Sequence, residues 1–337
     1  MDLKCSWLGL ELAHPFVSGA SPLVDDLGMV KRLEDAGIAA IVMHSLFEEQ
    51  ITQEELGTVA SMDTHSDSFG EALSYFPDPE DFHLGPDEYL EQIRRIKESV
   101  AVPLVGSLNG TTPGGWLRYG PLIEEAGADA LELNLYELPT DPGRKGSDIE
   151  REACQIVKDL ASVLKIPLTI KLGPYYSSIP HFVDQLVAAG AKGVTIFNRF
   201  YQSDIDSEAL EVTHKLRLSG PSELLLRLRW LAILSASSAC DLSVTGGVHS
   251  VNDAIKATMC GAHSIQMVSA LLRHGPEYVS EMREGFVAWL EEHEYESVEQ
   301  MRGSMDLSRS PDPKAFERAN YMRVLQSWSI DSLDHPH

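Results

Sequence analysis

Short apolar runs alternate with amphipathic segments along almost the whole chain. Residues 12–17 form the first run, which leads into the small-residue turn Ser18-Gly19-Ala20-Ser21. Residues 25–36 have helical periodicity, with Gly37 as the stop signal, and 38–43 is the next run. A long polar segment, 48–85, precedes a helix at 86–99 that carries Glu/Lys and Glu/Arg pairs on its outer face. The rhythm then repeats: run 103–107, helix 113–126 closed by Gly127, run 129–134, helix 148–164, run 167–172, helix 180–189 closed by Gly190, run 193–197. An irregular insertion, 198–220, leads into a helix at 221–237. Runs 242–245 and 264–268, separated by a short helix at 251–259, and a last helix at 277–292 complete the pattern.

Eight apolar runs without strict alternation, each followed by a helix, predict a parallel sheet covered by helices. Eight such units over this length favour a closed (β/α)8 TIM barrel, class α/β, across residues 1–303. The competing architecture is a doubly wound open sheet. The first run lacks the Gly-x-Gly-x-x-Gly that a dinucleotide-binding sheet would carry after it. Residues 304–337 read as a C-terminal helical extension. Ser310-Pro311-Asp312-Pro313 is a break, and 314–327 is an amphipathic helix with Phe316, Ala319, Met322 and Leu325 on one face. That face is expected to dock on the barrel or on a neighbouring subunit, in keeping with a homodimer.

Charge narrows the partners. The chain has 51 acidic and 27 basic residues, a formal charge of −24, so nucleic acid and anionic membrane are not expected partners. The four cysteines, Cys5, Cys154, Cys240 and Cys260, have no C-x-x-C spacing, which argues against a zinc ribbon or an iron–sulfur cluster. Scattered cysteines and no secretory leader predict a cytoplasmic protein. No apolar run approaches the ~18 residues of a membrane span.

In a parallel barrel the functional groups stand just past the C-terminal ends of the strands. Those ends carry Gly19 and Ala20, His44 and Ser45, Asn109, Asn134, Lys171, Asn198, Gly246 and Gly247, and Ser269. The set is polar, with one central cation, and lacks the clustered His and carboxylate ligands of a metal barrel. Thr245-Gly246-Gly247 and Val268-Ser269 follow the seventh and eighth runs, where bare backbone N–H groups can cradle a phosphate. Lys171 lies inside the apolar run Ile170-Lys171-Leu172, a costly place for a lysine without an anionic partner. It could form a Schiff base, as in an aldolase, face a cofactor that becomes anionic, or reach water. The 58–83 segment contains Asp63, His65, Asp67, Glu71 and His83 at spacings that fit no defined metal motif, so a polar loop is expected there.

The order of these segments resembles the dihydroorotate dehydrogenase family of FMN-containing barrels. The similar stretches are His14-Pro15-Phe16, Glu132-Leu133-Asn134-Leu135, Pro167-Leu168-Thr169-Ile170-Lys171-Leu172, Thr245-Gly246-Gly247-Val248, Cys260-Gly261-Ala262 and Gln266-Met267-Val268-Ser269-Ala270-Leu271. The resemblance spans roughly residues 3–305. It implies FMN as cofactor, with Gly246, Gly247, Val268 and Ser269 on its phosphate and Gly19, Ala20 and Ser45 along the flavin and ribityl chain. It also implies Lys171 at the flavin N1/O2 edge, Asn109 on the cofactor, Asn134 and Asn198 bonded to substrate, flavin or both, and Ser219-Gly220 as the small pair beside the flavin.

The chain departs from the family on the substrate side. Soluble members carry a Cys base in a Ser-Cys-Pro-Asn window after the fourth strand; here that window is Tyr136-Glu137-Leu138-Pro139, and Glu137 takes the Cys position. His44 replaces the lysine after the second strand, and Ser74-Tyr75-Phe76-Pro77-Asp78-Pro79 replaces the loop that presents an Asn to orotate. The expected activity is therefore FMN-dependent hydride transfer from a C–C bond of a small polar substrate, dihydroorotate or a relative of it. With dihydroorotate it would fall in pyrimidine biosynthesis. Glu137, Tyr136 or His44 would act as base and Lys171 as electrostatic partner. Two alternatives are an FMN-bearing electron-transfer subunit with a redox partner protein, and a cofactor-free aldolase-type barrel working through Lys171.

Overall fold

The computed structural model describes residues 1–48, 50–51, 85–110, 113–199, 201–213 and 216–327. The acidic and histidine residues read in 58–83, and the 74–79 loop, lie outside the described residues. Eight parallel strands close into the expected barrel: β3 (Phe16–Ser18), β4 (Ala40–Val42), β6 (Leu104–Asn109), β7 (Ala130–Leu135), β8 (Leu168–Leu172), β9 (Gly193–Ile196), β12 (Asp241–Thr245) and β13 (Ser264–Met267). Each pairs with the next in parallel, β13 pairs with β3, and β4 pairs with β6 through Ile41↔Leu104 and Val42↔Val105. A two-residue strand, β5 (Leu46–Phe47), extends the upper edge against Leu108 and Asn109.

The outer helices form where amphipathic faces and local stop signals coincide. They are α1 (Leu27–Asp35), α2 (Pro86–Ser99), α3 (Pro113–Glu125), α4 (Gly146–Val163), α5 (Ile179–Ala189), α6 (Leu224–Ser237), α7 (Val251–Met259), α8 (Ser269–His274) and α9 (Tyr278–Glu292). Asp26 caps α1 by accepting the Gly28 N–H, and Ser250 with Asp253 forms a capping box on α7. The buried faces of these helices and the outward strand residues make one continuous apolar core.

Three segments differ from the sequence pattern. The expected run at 12–17 is two elements, because β1 (Cys5–Trp7) and β2 (Leu10–Leu12) form a hairpin turned by Leu8 and Gly9, both at positive φ. Its buried Trp7 and Leu8 close the N-terminal end of the barrel, where the Leu8 N–H donates to the Asp241 carboxylate. The irregular insertion contains a second ribbon, β10 (Asp204–Asp206) and β11 (Glu211–Thr213), with Ile205 opposite Val212. The expected amphipathic helix at 314–327 is shortened to α11 (Ala319–Gln326), and Tyr321, Met322, Val324 and Leu325 on it are exposed. The docking face is thus uncovered among the described residues; Phe316, before the helix, is the residue that packs on the core. Ahead of α11, the short helix α10 (Val298–Met301) and residues 303–307 hold to the barrel through backbone bonds such as Met305 N–H to Met259 O. No described helix is long and apolar enough to cross a membrane.

Candidate active site

Strand parity turns alternate residues of each strand into the barrel. On β7 this places Glu132 and then Asn134 inside; on β8, Thr169 and then Lys171, with Asn134 opposite Lys171 in register. Glu132 is completely buried and receives three donors: Lys171 Nζ at 3.2 Å, Thr195 Oγ1 at 3.0 Å and Gln266 Nε2 at 2.7 Å. The lysine that looked costly in an apolar run therefore has its anion one layer below.

Above this layer the strand ends enclose a cavity of about 420 Å³. Ala20, His44, Ser45, Asn109, Asn134, Tyr136, Lys171 and Asn198, eight of the residues singled out in the sequence, line it together. They are joined by hydrogen bonds: Asn198 Nδ2 to Asn134 Oδ1 (3.4 Å), Asn134 Nδ2 to Ser45 Oγ (2.8 Å), and Ser45 Oγ with Ser107 Oγ (2.8 Å). His44 Nδ1 lies 2.8 Å from the Asp25 carboxylate, and its ring meets Tyr89 edge-on. Asp25, Gln50, Arg199 and Tyr201 also line this cavity, and none of them carries a signal in the sequence that marks it as a site residue. Asp25, Arg199 and Tyr201 come from loops and Gln50 from a short helical turn, and the approach of each to the mouth is set by the fold rather than by a local motif.

Glu137 is placed differently. It faces a neighbouring cavity and forms an ion pair with Arg144, which also pairs with Glu152. Tyr136 and Asn198 line both cavities.

The two glycines after β12 do not line the first cavity. Gly246 and Gly247 have φ of +84° and +88°. A Cβ on Gly247 would run into the Leu224 backbone, and one on Gly246 would sit 2.8 Å from Arg227 Nη2. Packing against the start of α6 thus demands glycine here, whatever ligand binds, so a Gly246→Val variant would disturb the fold as well as any ligand. Arg227 is buried and donates to Thr245 O, Glu223 O and Phe197 O, lashing together the ends of β9 and β12; burial lowers its pKa to about 10.

Beside these glycines, Ser219 Oγ donates to Ser269 Oγ at 2.9 Å, accepts from the Gly247 N–H at 3.4 Å, and lies 3.4 Å from His249 Nε2. Burial lowers the His249 pKa, with Arg273 adding to the effect. Of the other two residues expected here, Val268 covers Gly19, and the Gly220 N–H bonds Glu223 within its own turn. The donor set of Gly247 N–H, two serine hydroxyls and an imidazole fits a phosphate monoester, and the Ser219 hydroxyl stands among those donors. Two further buried hydroxyls near the mouth, Ser18 and Ser21, and the Gln266 Oε1 have no hydrogen-bond partner among the described residues. The residues present thus suit a polar, phosphate-bearing cofactor such as FMN.

Fold and site define a (β/α)8 barrel with a polar, lysine-centred mouth and an anion-suited pair of glycine and serine turns. The family model described as dihydroorotate dehydrogenase matches residues 83–290. The chain belongs to the dihydroorotate dehydrogenase family and is an oxidoreductase of that family. It is 26% identical over 309 residues to the dihydroorotate dehydrogenase B (NAD(+)) catalytic subunit of Thermoplasma volcanium, covering 90% of this chain and 98% of that one. It is 28% identical over 317 residues to the protein of the same description from Pyrococcus abyssi, covering 89% and 98%. It is also 22% identical over 320 residues to the NAD-dependent dihydropyrimidine dehydrogenase subunit PreA of Escherichia coli K12, covering 90% and 76%.

Proposed function

We propose that this chain is an FMN-dependent oxidoreductase that takes a hydride from a carbon of a small ring substrate bound in the barrel mouth. The observation that carries the reading is the convergence of Lys171 with the Asn109, Asn134 and Asn198 side chains in one cavity. When bound, FMN would supply the two-electron acceptor. Gly246, Gly247, Ser269, Ser219 and His249 would hold its phosphate. Lys171, anchored by Glu132, would keep a fixed positive charge at the edge of the flavin ring. The three carboxamides, each both donor and acceptor, would orient the substrate.

Among the base candidates, the geometry favours His44. Its imidazole lies in the cavity with the Asp25 carboxylate 2.8 Å from Nδ1, so a titratable ring and a carboxylate stand together at the substrate mouth. Tyr136 lines the same cavity, whereas Glu137 is engaged by Arg144. Relatives named for dihydroorotate and for dihydropyrimidine oxidation are both similar to this chain, so the family does not by itself choose the substrate. The subunit wording of those names supports an outside electron acceptor, a redox partner protein. A cytoplasmic homodimer belongs to the same proposal, and light scattering of the purified chain tests the dimer.

The test of the cofactor is direct. Acid release from the purified protein should yield a compound that co-migrates with FMN, and anaerobic dihydroorotate or a dihydropyrimidine should bleach its absorption. A colourless protein that does not take up FMN would refute the reading and return attention to a Lys171 aldolase.

A further inference from the structure

The second cavity has a volume of about 670 Å³ and adjoins the first through Tyr136 and Asn198. Its walls include Tyr136, Tyr175 and Tyr176, with Glu137, Arg144 and Glu150 between them. It is large enough, and aromatic enough, to hold a planar group that extends out of the first cavity.

The charges around the two cavities are already matched. Lys171 lies 3.2 Å from Glu132, and Arg199 3.5 Å from Glu223. Arg144 gives one arm to Glu137 and the other to Glu152, and His44 sits beside Asp25. Asp141 and Glu150 line the second cavity in addition. Of the described residues that line the two cavities, three are permanent cations, Lys171, Arg144 and Arg199, and four are carboxylates, Asp25, Glu137, Asp141 and Glu150; behind the lining, Glu132, Glu152 and Glu223 pair with the three cations, and Glu223 also lies 3.9 Å from Arg227. The excess is felt locally: burial, then the Glu137 and Glu150 charges, push the Tyr176 phenol up to about 12.

A carboxylate entering this mouth would give up water and meet cations that already hold partners, next to further negative charge. We propose that the second cavity binds the distal part of the substrate and selects a planar compound without a carboxylate, favouring a cationic group over a neutral one. The proposal rests on the oxidoreductase reading for the identity of the mouth, but binding itself requires no redox step.

Three probes of one shape and different charge test it: benzamidine (cationic), benzamide (neutral) and benzoate (anionic). Calorimetric titration of the purified full chain should rank them in that order, with benzoate at least tenfold weaker than benzamide. The advantage of benzamidine should shrink in high salt. Tyr175→Ala should weaken benzamide, which locates the probe in the second cavity. Joint Glu137→Gln and Glu152→Gln substitution frees Arg144, and should raise benzoate affinity at least tenfold over the unsubstituted chain. Benzoate binding as tight as benzamide, absence of binding by all three at millimolar concentration, or indifference of benzamide to Tyr175→Ala would each overturn the proposal. Benzoate affinity unchanged by the double substitution would overturn it as well. Flavin content measured on the same samples separates the two readings: the expected probe order in a protein unable to bind FMN would sink only the oxidoreductase assignment.

Discussion

Lys171→Met isolates the charge pair at the centre of the barrel. Glu132 has no exposed surface, and the lysine nitrogen 3.2 Å away is its cation. Removing one partner of a buried pair costs about 3–5 kcal/mol, because the remaining charge stays desolvated. Thr195 and Gln266 still donate to Glu132, at 3.0 and 2.7 Å, which puts the expected cost near the lower end, about 3 kcal/mol. Methionine keeps most of the lysine methylene volume, so the loss reports charge rather than a cavity. The double variant Lys171→Met, Glu132→Gln removes both charges. Glutamine in place of Glu132 keeps an acceptor oxygen for Thr195 and Gln266 and carries no buried charge. The double variant should therefore recover to within about 1 kcal/mol of the native protein. Urea unfolding followed by circular dichroism gives the three stabilities. A single variant within about 1 kcal/mol of native, or a double variant no more stable than the single, would refute the pairing argument. On the FMN reading, both variants should also make the flavin harder to reduce, since the cation is missing from each.

His14 is buried, donates from Nε2 to Gly37 O at 2.6 Å and accepts the Phe16 N–H at Nδ1, so it must stay neutral; burial lowers its pKa to about 4 from an ordinary 6.5. Its share of stability is complete above about pH 6.5 and lost as pH falls through 4, about 3 kcal/mol in all, so His14→Asn should flatten the urea midpoint across that window. An unchanged slope would remove His14 from the acid response. Gly247→Ala should destabilise by about 2 kcal/mol or more, from positive φ and the clash with Leu224, even in protein stripped of any ligand; equal melting of native and variant apoprotein would contradict this. With whichever reductant bleaches the holoprotein, His44→Ala should slow the reduction by ~10² or more and Glu137→Gln by much less; stopped-flow traces with the opposite order would restore the base role to Glu137.

The barrel and most of its mouth were legible because both follow from short-range rules. Apolar runs give strands, glycine stops give helix ends, and a parallel barrel puts strand ends at one rim. Those rules were enough to gather Asn109, Asn134, Lys171 and Asn198, which do meet in one cavity. The rules failed where a residue's meaning depends on a distant partner. Glu132 sits in a run that reads as buried strand, and nothing local says that it neutralises a lysine 39 positions on. Ser219 read as a small residue of a turn; its bonds to Ser269 and its closeness to His249 come from three separate loops. The helix at 314–327 has an amphipathic pattern, but pattern alone does not supply a surface to cover it, and α11 stays exposed.

The same limit governs the substrate. Arg144, Arg199 and His44 each look, one at a time, like a receptor for an anionic substrate. Their character changes once each is seen beside its carboxylate, because a cation already paired offers an incoming carboxylate less than a free one would. Residue types along a chain report which charges exist; only the folded pairing reports which remain available. On the FMN reading, Lys171 and the glycine and serine turns serve the cofactor, and the proposed preference against a carboxylate concerns the substrate side alone; the benzoate and flavin-content measurements therefore test the two independently.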